Sequence, residues 1–294
     1  MGSSKHMNSD MLRWQHEVDD ALPKLLPRGD DVPERLSEAV RYAVMSGGKR
    51  IRPTMTLAVA ELLGASAASV MKGACGIELV HTSSLLLDDL PCMDDHATRR
   101  GKPSTHRAFD ESTAILASVA LLAQGFDLIA QNGADLDASA DRVVAAVREV
   151  SLAVGAAGMS GGQQLDLAAQ LDPADLATLL RIHRQKTAVL FAAAMAVPAW
   201  LLGAPRSTVE AMRACGEALG EAFQVSDDIL DADEARGAAD GHSQRANLLR
   251  ALDVSEARRL LVELIDSAKR CLAPLDAHDD LLFRLADIIR DRTG

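Results

Sequence analysis

The stretch LLLDDLPCMDD, Leu85 to Asp95, decides how this chain is read. Three leucines run straight into a pair of carboxylates, and a second pair follows four residues on. QVSDDILD, Gln224 to Asp231, repeats the theme well over a hundred residues later, in a chain that otherwise reads as continuous helix. Burying several carboxylates beside apolar residues is costly unless a cation neutralises them. Something cationic is therefore expected between the two clusters.

Spacing says what kind of cation. Asp227 and Asp231 are four apart, so on a helix they share one face, while Asp228 is rotated from it by about 100°. Asp88 and Asp94 are six apart and do not align on a straight helix. Pro91 lacks an N–H and clashes with the carbonyl of Leu87, so a loosened turn is expected to bring Asp94 back over Asp88. Asp95 is the substitute if the helix stays regular. These ligands are all hard oxygens without His or Cys partners, which suits Mg²⁺ completed by water and substrate phosphates. The expected ligand is a diphosphate or a similar anion. A single DD pair is most often a solvated helix face or an N-cap; two clusters, each led by an apolar run, favour the metal.

The basic residues agree. GGKRIRP places Lys49, Arg50 and Arg52 just after the Gly47-Gly48 break, and RRGKP places Arg99, Arg100 and Lys102 just after the first acidic cluster. Arginine reads phosphate oxygens bidentately and lysine acts as a point charge. A chain of formal net charge -11 that still gathers cations at two glycine breaks is holding an anion locally. His81 is by default a core histidine, and its place one to two turns before Asp88 makes it a phosphate-donor candidate.

Composition points to an all-α protein of about a dozen helices around a central cavity. Hydrophobic residues make up 48% and aromatics only 3%, so the core is built from Ala, Leu, Val and Met. Pro33, Pro53 and Pro173, with glycine stops at Gly47, Gly64, Gly133 and Gly203, punctuate the helices. No alternating strand stands out. MGSSKHM has the look of an expression remnant, so residues 1–8 are set aside and 9–294 are taken as a single domain. Residues 188 to 204 are 17 residues without a charge, short of the roughly 20 a membrane span needs. Pro198 interrupts them, and a buried core helix is expected. Cys75, Cys92, Cys215 and Cys271 show no disulfide or metal spacing. A cytoplasmic enzyme is expected, without nucleic-acid binding and with at most transient membrane contact.

HTSSLLLDDLPCMDDHATRRGKPSTHRAF, with GGKRIRP upstream and GMSGGQQLDL, HRQKTAVLF and FQVSDDILD downstream, resembles the trans-isoprenyl diphosphate synthases, or polyprenyl synthetases. It is most similar to the bacterial farnesyl and geranylgeranyl branch. The resemblance runs from about Gly47 to the end of the chain and implies the isoprenoid synthase fold, a homodimer and two or three Mg²⁺ ions. By family pattern, Asp88, Asp94, Asp227 and Asp231 would hold the metal on the diphosphate of an allylic substrate, which Arg99 would also touch. Isopentenyl diphosphate would be held by Lys49, Arg52, His81 and Arg100. Lys186, Thr187 and Gln224 match positions lining the allylic cleavage point, where they stabilise a developing carbocation, and Gln163 and Asp166 support that pocket. No nucleophilic side chain is required.

One segment departs from the pattern. After the second cluster the family continues with a Gly-Lys and then an Asp, whereas alignment here puts Ala238 at the lysine and Ser243 at the aspartate. Arg236 or Arg245 are the candidate substitutes. Product length is expected to depend on Ser83 and Ser84, about one turn before Asp88. Family members that stop at C15 carry a bulky aromatic there, so two serines favour geranylgeranyl diphosphate (C20) over farnesyl diphosphate (C15). A terpene cyclase or head-to-head synthase, which needs no second-substrate cations, and a non-catalytic subunit, suggested by Ala238, are the alternatives.

Overall fold

The computed structural model describes residues 3–171, 175–237, 247–275 and 281–292. Its helices are α1 (Ser3–Leu25), α2 (Glu34–Val44), α3 (Ile51–Leu62), α4 (Met71–Asp88), α5 (Thr105–Ala108), α6 (Glu111–Asp135) and α7 (Ala140–Val154). They continue with α8 (Met159–Leu171), α9 (Leu176–Ile182), α10 (Val189–Leu201), α11 (Arg206–Gly237), α12 (Val254–Leu272) and α13 (Leu281–Asp291). A π-helical turn, His183–Ala188, joins α9 to α10. The all-helical expectation holds with one exception: Thr98–Arg99 (β1) pairs with Lys102–Pro103 (β2) in an antiparallel ribbon. Two residues per strand leave no alternation for a sequence pattern to reveal. Arg100 and Gly101 at its tip both have positive φ, 53° and 77°, as the tight turns that match strand twist require.

The chain divides into two compact units, residues 1–147 with 201–203 and residues 148–200 with 204–294. In the first, α4 lies along α6, with α1, α2 and α3 packed around them. The approach is close: a Cβ on Gly76 of α4 would stand 2.7 Å from the Gly125 carbonyl oxygen of α6. Glycine inside a helix costs about 0.5–1 kcal/mol, and here it lets two apolar faces meet. Gly133 is not the helix stop expected for it. Helix α6 runs on to Asp135, and a Cβ on Gly133 would meet Val143 Cγ2 at 2.5 Å, so packing explains that glycine.

In the second unit, α11 packs along α12 and carries the π-turn, α13 and the 3₁₀ turn Leu248–Arg250 against it. Helix α12 starts with a capping box in which Asp253 accepts from the Glu256 N–H and the Glu256 side chain accepts from the Asp253 N–H. Helix α10 is the expected core helix, with Phe191, Ala194, Met195, Ala196, Val197 and Ala199 buried to 7% exposure or less. It runs straight through Pro198. Full burial of one Leu, Phe or Met contributes about 1.5–3 kcal/mol, so a few such side chains offset the roughly 3 kcal/mol that an interior proline costs.

Candidate active site

In the first unit α4 ends at Asp88. The chain then turns so that the Asp94 N–H donates to the Asp88 carbonyl at 2.9 Å, and the Asp95 N–H to the Leu90 carbonyl at 3.1 Å. This is the loosened turn expected at Pro91, and it returns Asp94 to the end of α4. Asp95 takes a left-handed φ of 45° and pairs with Arg107 at 3.3 Å. Asp89 faces inward at 4% exposure and accepts from Arg99 Nε at 3.0 Å and from Arg99 Nη2, with His96 Nδ1 3.4 Å away. The ribbon thus leads Arg99 back to the cluster it follows in sequence.

The same unit gathers the second cation group. Gly48, at φ 145°, lies under the Arg100 guanidinium so closely that a Cβ would stand 2.7 Å from Arg100 Cζ. Arg52 Nη1 is 3.3 Å from His81 Nε2. Burial, then the charges of Arg52 and Arg100 and more weakly Arg50 and Arg99, hold His81 well below its usual pKa, so the ring is neutral near pH 7. Arginine can only donate, which leaves the imidazole proton on Nδ1. Lys49 is exposed beside them. Arg50, their neighbour in the GGKRIRP stretch, does something else. Its side chain is fully buried and bonds Glu78 at 2.7 Å, Asp19 at 2.9 Å and the Val44 carbonyl at 2.8 Å, tying α1, α3 and α4 together.

In the second unit Asp166, His183, Lys186, Thr187, Gln224, Asp227, Asp228, Asp231 and Asn247 line a cavity of about 340 Å³. Lys186 Nζ donates to the buried Asp166 at 2.6 Å. Thr187 Oγ1 donates to Gln224 Oε1 at 3.0 Å, and Gln224 Nε2 donates to Asp228 Oδ1 at 3.2 Å. Asp228, 3% exposed, also accepts from the Leu248 N–H at 2.7 Å, and His183 Nε2 lies 3.1 Å from its Oδ2. Arg292, one residue beyond α13, donates to Asp227 Oδ1 at 2.6 Å. Asp231, one turn after Asp227, is exposed.

Both acidic pairs therefore split in the same way. The first aspartate is left at the helix surface and the second is turned inward to a local partner. Among the described residues no three His, Cys, Asp or Glu side chains form a ready-made metal cage. Hard oxygens presented without a closed cage fit Mg²⁺, which keeps water and takes substrate phosphate oxygens. No thiol competes as a nucleophile at Cys75, which burial pushes up to about 12.

Sequence reasoning missed the π-turn that displays Lys186 and Thr187, the anchoring of Asp228 by Leu248, and Arg292. None of the three had a local cue in the sequence. Ala238, Ser243 and Arg245 lie outside the described residues, as does the side chain of Arg236.

A family model described as polyprenyl synthetase matches residues 33–241. The chain is 37% identical to the farnesyl diphosphate synthase of Bacillus subtilis over 89% of this chain and 90% of that protein. It is 42% identical to geranylgeranyl pyrophosphate synthase 12, chloroplastic, of Arabidopsis thaliana, over 77% of this chain and 63% of the longer plant protein. The apo structure of an FPP/GFPP synthase from Zymomonas mobilis superimposes with a TM-score of 0.86 at 31% identity, covering 97% of this chain and 99% of that one.

Proposed function

The chain belongs to the polyprenyl synthetase family and is a short-chain trans-prenyl diphosphate synthase; we propose that it condenses isopentenyl diphosphate with an allylic diphosphate as far as geranylgeranyl diphosphate. The observation that carries the catalytic assignment is the hydrogen-bond chain from Thr187 through Gln224 to Asp228, beside a Lys186 held on Asp166. Thr187 gives its only hydrogen to Gln224, so its remaining lone pairs are available to a positive centre.

Each residue then has a part. Lys186 and Arg99, the latter oriented by Asp89, hold the allylic diphosphate. Lys49, Arg52, neutral His81 and Arg100 hold isopentenyl diphosphate. Asp88 and Asp94, and likewise Asp227 and Asp231, would hold Mg²⁺, which would supply neutralisation of the leaving group. The allylic C–O bond breaks with its electron pair leaving on pyrophosphate. The isopentenyl double bond supplies the pair for the new C–C bond, and the proton then lost goes to pyrophosphate. Thr187 and Gln224 oxygens stabilise the cation in between, and apolar walls keep water from quenching it.

Ser83 and Ser84 support the C20 product. Both fold their hydroxyls back onto their own helix, to the carbonyls of Val80 at 2.8 Å and His81 at 2.9 Å. Neither presents bulk to a growing tail. A homodimer is supported by Ile115, Leu116 and Val119, which leave an apolar stripe of 42–59% exposure on α6. Helix α6 is long and apolar enough by composition to cross a membrane, but Asp127 lies within it, and a mid-span aspartate costs about 2.5–3.5 kcal/mol. A second copy of the chain is the better cover.

Product analysis with radiolabelled isopentenyl diphosphate and each of the C5, C10 and C15 primers tests the assignment. C20 as the end product from every primer is expected. A hydrocarbon released from allylic diphosphate alone would instead make the protein a cyclase.

A further inference from the structure

Arg292 was not among the site residues expected from sequence, yet it sits on the second acidic cluster. Its Nη2 donates to Asp227 Oδ1 at 2.6 Å, and its Cζ stands 4.6 Å from the ring centroid of Phe223. Phe223 precedes Asp227 by four residues on α11, so ring and carboxylate share one helix face and hold the guanidinium between them. The other terminal nitrogen, Nη1, is buried without a hydrogen-bond partner among the described residues. A charged donor in that position calls for an acceptor that the described residues do not supply. Lys186, the cation in the cavity wall, has by contrast a carboxylate partner of its own in Asp166.

We propose that Arg292 is a diphosphate-binding residue of this enzyme, delivered from the end of α13 to the second acidic cluster. In the unliganded protein it neutralises Asp227. With metal and diphosphate bound it transfers to phosphate oxygens, for which its planar fork of donors is shaped, while Phe223 keeps it in place. This supplies a phosphate cation in a chain that has Ala238 where its family resemblance leads one to expect lysine. The proposal rests on the assignment of the cavity as a diphosphate site.

The test is calorimetric titration with inorganic pyrophosphate at saturating Mg²⁺, alongside titration with Mg²⁺ alone, with circular dichroism to verify folding. Arg292→Gln should weaken pyrophosphate binding about tenfold or more, the scale of a lost charge-assisted contact, without weakening Mg²⁺ alone. Arg292→Lys should fall between the two, since lysine keeps the charge and loses the fork. Phe223→Leu, which leaves the arginine but removes its platform, should also bind pyrophosphate less tightly and serves if Arg292→Gln does not fold. Pyrophosphate binding by Arg292→Gln as tight as wild type, or tighter, would overturn the proposal and leave Arg292 as a lock on Asp227. A wild type that bound no Mg²⁺-pyrophosphate would overturn the diphosphate assignment of the cavity itself, whatever Arg292 did.

Discussion

Gly162→Ala should damage catalysis through a contact that touches no substrate. A Cβ at this position of α8 would stand 2.4 Å from the Lys186 nitrogen, 2.7 Å from the Gln185 carbonyl carbon and 2.8 Å from Lys186 Cα. These are backbone atoms of the π-turn, so no rotamer change relieves the clash. Ordinary contact starts near 3.4 Å, so the turn must retreat by roughly 1 Å. That shift takes the 2.6 Å Lys186–Asp166 and 3.0 Å Thr187–Gln224 bonds to the edge of hydrogen-bonding range or past it. Overpacking costs about 1–3 kcal/mol, and melting should fall by about 2–4 °C for each kcal/mol. Misplacing reacting groups by about 1 Å can cost roughly 10²-fold in rate. Gly161→Ala is the control: its Cβ would meet the Ala156 carbonyl oxygen at 2.1 Å but approach the π-turn no closer than Gln185 Oε1 at 3.8 Å. It should lower the melting temperature while largely sparing kcat. If Gly162→Ala melts lower yet keeps the wild-type kcat, the π-turn does not position Lys186 and Thr187 as argued.

Asp88→Ala or Asp227→Ala should nearly abolish turnover at saturating Mg²⁺ with the fold intact by circular dichroism. Loss of the part-buried Arg292 pair should cost Asp227→Ala about 1–3 kcal/mol in a metal-free melt, because the guanidinium is left without its partner. Ser83→Tyr or Ser84→Phe should move the main product from C20 to C15 by chromatography, because one helical turn of about 5.4 Å is close to one C5 unit. Unchanged products in folded variants would remove the basis for C20, and Ser83, at 4% exposure, should show the larger melting penalty. His81, held below its ordinary value of 6.5 by burial and then by Arg52 and Arg100, resists protonation in the folded state. Its contribution is complete above pH 6.5 and is lost as pH falls towards the folded value, so wild type should lose melting temperature on acidification faster than His81→Gln.

The legible parts of the site are those that a helix period settles within one or two turns. Asp227 and Asp231 share a face because they are four apart, and Pro91 betrays the turn that closes Asp94 onto Asp88. The illegible parts depend on which element packs against which. Nothing in HRQKTA announces a π-turn, because one wide turn leaves no repeating pattern. Arg292 reaches Asp227 across 65 residues, and Leu248 reaches Asp228 across 20. Pro198 and Gly133 misled because local propensity of about 1–3 kcal/mol yields to burial of a whole helix face.

The second aspartate of each pair was the least readable from sequence, and its position explains the first. Asp228 is pinned by the Leu248 N–H and by Gln224, and Asp89 by Arg99. Adjacent residues on a helix point about 100° apart. Fixing Asp228 inward therefore turns Asp227 out of the core, onto the face it shares with Asp231 and Phe223. The same rule directs Asp88 away from the wall that holds Asp89. A pair of aspartates in which both members were ligands would have nothing to set its rotation, whereas one buried anchor and one carboxylate nearer the surface define it. On this ground Asp228→Asn should disturb the metal site less than Asp227→Asn but more than its lack of direct ligation would suggest. The asparagine keeps an oxygen for Leu248, but its amide can no longer accept from Gln224 at the second position.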